Sequence, residues 1–186
     1  MLLASSAVPA RADGFVTPFY GFNYGGDSNC KEISNCEDKR ANYGLSIGKM
    51  GTIFGVEEDI SIAKDFFGKV PNVDNSVFTL MSNLLIGVGK GPVQPYFLVG
   101  AGLIRPHTSS SVLTNFDFKN NLLGYDIGGG VHGYFSKHVG VRGDIRLFHA
   151  LQDFDVPIIG GIADQFFDTS QKLDFWRASF GVSFRF

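Results

Sequence analysis

Four histidines, two cysteines and a spaced set of acids and arginines are the side chains of this 186-residue sequence best able to do chemistry. Hydrolysis of the serine type needs an imidazole, a hydroxyl nucleophile and a polar group that orients the ring. The imidazoles are His107, His132, His138 and His149. The chain pattern sets His107 in a loop, His138 in a turn and His132 on an inward face. Only His149 points outward, and its neighbourhood Leu147–Asp153 holds no serine. A histidine seated at an interface is the simpler reading of it. The glycine run 128–130 lacks the following helix and the Lys-Ser/Thr of a phosphate cradle. Cys30 and Cys36 lie in the polar stretch 25–40 with no histidine or further cysteine nearby, which argues against a metal site. A small loop-closing disulfide or two free thiols remain open for them. No cofactor is called for.

The elements that must position these groups are strands. The last segment, 172–186, alternates without a break: Trp176, Ala178, Phe180, Val182, Phe184 and Phe186 share one face, while Arg177, Ser179, Gly181, Ser183 and Arg185 share the other. Period-two alternation of this length marks a strand with different surroundings on its two sides. Seven further candidates precede it: 15–25, 41–49, 52–66, 76–89, 95–104, 122–135 and 139–150. Their connections alternate in kind. Short turns fall at 50–51, 89–92 and 136–138, and longer loops at 26–40, 68–75, 105–121 and 151–171. Eight strands with short turns at one end and long polar loops at the other predict an all-β fold, a closed eight-stranded antiparallel up-and-down transmembrane barrel.

A soluble eight-stranded barrel would alternate as well, so composition has to decide. Charged residues make up 18% of the chain, against about 25% in soluble domains, while Phe numbers 19 and Gly 24. The less apolar faces carry Gly44, Gly48, Gly87, Gly128, Gly130 and Gly181 rather than rows of Lys and Glu. Such faces suit a crowded lumen, and the apolar faces suit lipid. No apolar run reaches the ~18 residues of a membrane-spanning helix. A net charge of −2 gives no electrostatic footprint for nucleic acid.

The lumen then receives Glu57, Asp59, Asp126 and Asp144 with Arg142, Arg146 and Arg177. Unpaired ions in a filled barrel would cost several kcal/mol each, so these seven should form a paired network that plugs and stiffens the barrel. Glu57 and Glu58 are adjacent, so a regular strand sends one of them to lipid. A bulge, or a strand displaced toward the interface, would relieve that. The start of the chain, with Ala10-Arg11-Ala12 before Asp13, reads as the tail of a secretory signal whose beginning is missing. The expected division is a signal remnant at 1–12 and a barrel domain at 13–186.

The segments 18–28 and 139–146 and the final strand resemble the OmpA/OmpX-like outer-membrane β-barrel proteins, including opacity-type surface antigens. The resemblance covers about the whole of 13–186. It implies the outer membrane of a Gram-negative bacterium, a bilayer as the surrounding partner, and no enzymatic activity. In that family a terminal Phe, with apolar residues at alternate positions before it, is recognised by the outer-membrane assembly machinery. Ala178, Phe180, Val182, Phe184 and Phe186 match that pattern. OmpA itself continues into a peptidoglycan-binding domain, whose anchoring role is not implied here. Three functions compete: a surface protein whose four extracellular loops meet an unknown partner, a lipid-modifying enzyme, and a small channel. The neighbourhood of His149 does not resemble the His-x-Ser-Asn of a lipid A deacylase. The fourth loop, with its apolar stretch 157–162, is expected to pack on the barrel mouth or bind a partner.

Overall fold

The computed structural model describes residues 13–25, 41–66, 73–88, 90–110, 116–119, 121–153 and 172–186. Residues 1–12, Cys30, Cys36 and the stretch 157–162 lie outside the described residues. Among the described residues there are nine strands: β1 (Asp13–Tyr24), β2 (Ala41–Met50), β3 (Phe54–Lys64), β4 (Val73–Gly87), β5 (Val93–Ser110), β6 (Phe116–Lys119), β7 (Leu122–Tyr134), β8 (Val139–Asp153) and β9 (Lys172–Arg185). Eight of them form a ring in the order β4-β3-β2-β1-β9-β8-β7-β5, and β4 pairs with β5 to close it. Every pairing is antiparallel. The fold is a closed eight-stranded up-and-down barrel.

Closure depends on the two ends of the chain. β1 runs against β9 from Phe15↔Arg185 to Tyr24↔Trp176. Gly14 and Phe186 then exchange a pair of 3.0 Å backbone hydrogen bonds that extend the seam to the last residue. The aromatic-rich strand at the C-terminus therefore has no open edge.

The three tight turns have local causes. Gly51 N–H donates to Phe54 O at 2.8 Å. Gly91 takes a φ of +99°, which a side chain would strain. The Ser136 hydroxyl accepts from Val139 N–H at 2.9 Å and from His138 N–H at 3.3 Å. At the opposite end the strands run further than the alternation suggested. The loop predicted at 105–121 is partly strand: β5 continues through Arg105–Ser110, and β6 pairs back on it from His107↔Lys119 to Ser110↔Phe116. β4 likewise starts at Val73, paired with Ser110. Above the apolar band both faces of a hairpin meet the same solvent, so period-two alternation disappears although the ladder continues.

The two faces of the wall are sorted as the alternation required. Phe180 is 61% exposed and Ile145 49%, while Arg142 is 2% exposed and Asp144 6%. Outward aromatics gather at both rims. Tyr20, Tyr24, Tyr43 and Trp176 ring the loop end, with Tyr24 stacked on Trp176 at 6.4 Å. Phe54, Phe97, Phe135 and Phe186 ring the turn end.

Candidate functional site

The charged groups expected in the lumen are brought together there by four strands. β3 contributes Glu57 and Asp59, β7 Asp126, β8 Arg142, Asp144 and Arg146, and β9 Arg177. Apart from Glu58, which stands between Glu57 and Asp59, the outward neighbours of these ions are apolar or glycine, and that sets the phase pointing each ion inward.

Arg146 is the hub. Its Nε meets Asp144 Oδ1 at 3.0 Å and its Nη2 meets Glu57 Oε1 at 3.0 Å. Its Nη1 faces Asp59 Oδ2 at 3.4 Å and Asp126 Oδ2 at 3.6 Å. Arg142 pairs with Glu57 Oε2 and, through Nε, with Asp144 Oδ2 at 2.9 Å. Arg177 donates to Asp59 Oδ1 at 2.6 Å and to the Ser61 hydroxyl at 2.8 Å. All seven are buried.

Neutral groups complete the network, and the sequence reading missed them. Tyr96 accepts from Arg142 Nε at 2.6 Å and donates to Asp144 Oδ2 at 3.0 Å. Asn83 donates to Glu57 Oε1 at 3.1 Å, Ser46 to Asp59 Oδ2 at 2.8 Å, and Ser179 to Asp144 Oδ1 at 2.8 Å. β2, β4 and β5 therefore join the strands that carry the ions. The signal was available as inward polar positions on strands of unambiguous phase.

The ions occupy only the middle of the lumen. Toward the loop end an apolar cluster fills the bore, including Phe66, Met81, Ile104, Phe148 and Phe175. Phe148 and Phe175 lie nearly parallel, with ring centroids 4.8 Å apart. Toward the turn end Phe15, Met50, Leu85, Tyr96 and Leu98 form a second cluster. The arginines tie the layers together. Arg177 lies over Phe148 at 4.6 Å and Phe19 at 5.0 Å, and Arg142 over Tyr96 at 5.0 Å. These are cation–π distances in a desolvated setting, where each contact contributes about 2 kcal/mol.

The histidines divide as follows. His132 is buried in the lumen near the turn end, beside Tyr96 and with its Nδ1 3.0 Å from the Tyr134 hydroxyl. His138 is exposed in the Ser136–Val139 turn. His107 lies on β5, where a loop had been expected, and its side chain is half-buried. His149 points outward near the loop end. Its Nδ1 faces the Asp174 carboxylate, and its ring lies 5.0 Å from Tyr125. An imidazole and an acid are two parts of a hydrolytic triad, but neither of these neighbours is a serine.

A bulge or a displaced strand would have relieved the conflict between Glu57 and Glu58. β3 instead pairs without interruption with β2 and β4, so Glu57 faces the lumen and Glu58 faces outward. Ser82, directly opposite on β4, donates to the Glu58 carboxylate, with oxygen distances of 2.9 and 2.8 Å.

The chain matches, over residues 1–186, the family described as outer membrane protein beta-barrel domain. It belongs to that family. No curated protein sequence matches it. Solved structures similar to this outer-membrane barrel include Neisserial surface protein A, at 13% identity and a TM-score of 0.60, covering 92% of this chain and 95% of that one. The N-terminal barrel domain of Pseudomonas aeruginosa OprF gives 15% and 0.55, with 94% and 97% covered. Ail, the attachment invasion locus protein of Yersinia pestis, gives 10% and 0.55, again with 94% and 97% covered. At these identities the structures speak for the fold, and the family match places the protein in the outer membrane. The apolar outside of the outer-membrane barrel is then its lipid-facing surface, and Glu58 lies within it.

Proposed function

We propose that this outer-membrane barrel is a non-enzymatic surface protein, an anchor that holds its extracellular connections outside the cell for contact with a partner. The observation that carries the reading is the filling of the bore. An apolar layer, an ion-paired layer and a second apolar layer succeed one another along the lumen. The network acts as a rigid plug, and chemistry with outside molecules falls to the connections at the loop end. The outward row Ala178, Phe180, Val182, Phe184 and Phe186 is the face offered to the assembly machinery as the barrel closes.

Two measurements on protein refolded into vesicles test this. Neither fatty-acid release from phospholipid or lipid A nor a steady open state in a planar bilayer is expected. Release that disappears in His149→Ala would replace the reading with an enzyme. A steady open current would replace it with a channel.

A further inference from the structure

Among the described residues, the apolar band of the lipid-facing wall holds one hydrogen-bonded polar pair, Glu58 and Ser82. On β3 the outward side chains run Phe54, Val56, Glu58, Ile60 and Ile62. On β4 they run Leu80, Ser82, Leu84 and Ile86, with Ser82 paired to Glu58. Four residues of a strand tilted by about 45° raise Glu58 about 9 Å above Phe54 and its aromatic rim, well inside an apolar band about 25 Å tall. Water does not serve a carboxyl there. A carboxylate can accept about four hydrogen bonds, and Ser82 supplies one hydroxyl.

We propose that the Glu58–Ser82 patch is a contact between two copies of this chain in the plane of the membrane. The argument rests on self-complementarity. Donor and acceptor stand side by side on facing strands, so a two-fold rotation sets each Glu58 against the Ser82 of the second copy. Each serine donates to its own Glu58, and each carboxyl comes within reach of the opposite serine. Two carboxyls and two hydroxyls thus stand together at the axis. The surroundings permit close approach. Ala101 is paired with Ser82 on the far side, and Ser82 and Ala101 are both small. Ile47, paired with Glu58 on β2, adds an apolar flank that is already exposed. The opposite wall, formed by β8 and β9, presents Ile145, Phe180 and Val182 and no acid at this depth.

Sedimentation equilibrium of the full chain in density-matched micelles tests the proposal, with boiled and unboiled gel mobility as the check on folding. The wild type should show a reversible dimer. Glu58→Leu should weaken it by about tenfold while leaving the barrel folded. Glu58→Gln, whose amide can donate to serine, should retain it. With Cys30 and Cys36 both changed to Ser, Ser82→Cys, which stands beside the two-fold axis, should form a disulfide-linked dimer in vesicles under mild oxidation, and Ile145→Cys on the opposite wall should not. A wild type that remains monomeric at the highest micellar loading would overturn the proposal, as would a dimer indifferent to Glu58→Leu or equal crosslinking at both positions. A pure protein that stays monomeric because another chain covers the patch in the cell counts among those overturning outcomes.

Discussion

Glu57 and Glu58 are adjacent in sequence and belong to different worlds. Glu57 looks into the lumen, where Arg142, Arg146 and Asn83 all reach its carboxylate. Glu58 looks into lipid, where one serine hydroxyl meets it. The same side chain on the same strand is an integral member of a network on one face and an outlier on the other. The difference shows what each wall does. The lumen wall tolerates charge because partners converge on it from every direction. The outer wall tolerates it only where a neighbour in the plane of the membrane completes it.

The sharpest way to break the inner half of this comparison is to remove its hub. Arg146→Met leaves Asp144, Glu57, Asp59 and Asp126 facing a side chain with no charge. A loss of about 3–5 kcal/mol is expected, the usual result of leaving buried charge uncompensated. The urea midpoint of protein folded in vesicles reads it. An unchanged midpoint would mean that the lumen is wet enough to solvate its own ions. On the outer wall Glu58→Lys is the next largest change. A lysine facing acyl chains near mid-depth costs about 2–4 kcal/mol, whereas Glu58→Leu should cost nothing in the isolated barrel. Equal midpoints for those two variants would place Glu58 in the headgroup layer.

Close packing of the plug can be tested separately. Gly48 lies under Phe15, and a Cβ built there would sit 2.6 Å from the ring's Cζ and closer still to the Val56 carbonyl oxygen. Gly48→Val should therefore force the ring and the neighbouring β3 backbone aside and cost about 1–3 kcal/mol by overpacking. Phe15→Leu should then restore part of the loss in the Gly48→Val background, and no rescue would mean that the Phe15 layer is loose. The rescue separates a plug held by ion pairing alone from one that is also packed at its ends.

The inward and outward assignment was legible in the sequence because it depends only on parity. Once Ile145 and Leu147 are set outward, Arg142, Asp144 and Arg146 have nowhere to go but in. The partners of each ion were not legible, since they depend on the stagger between strands. Tyr96 reaches Arg142 and Asp144 across the bore, 46 and 48 residues away in sequence. The aromatic layers above and below the ions were hidden for the same reason. The β5–β6 extension escaped because alternation fades where both faces of a hairpin see water. Ser82 was the gap in an otherwise apolar row on β4, and Glu58 the gap in the row on β3. Only the register shows that the two gaps coincide.

The smallest effect is the one that isolates this pair. Ser82→Ala removes the hydroxyl that donates to Glu58 and leaves the packing nearly unchanged. Hydrogen bonds between side chains within a bilayer contribute about 0.6 kcal/mol on average, so a loss of that size is expected in dilute, monomeric protein. In a Glu58→Leu background the hydroxyl has no carboxyl to meet, and Ser82→Ala should be neutral or slightly stabilising. The double-mutant cycle therefore reads the coupling directly. A loss of equal size in both backgrounds would show that Ser82 acts through the wall itself, and the two outward polar residues would then be independent.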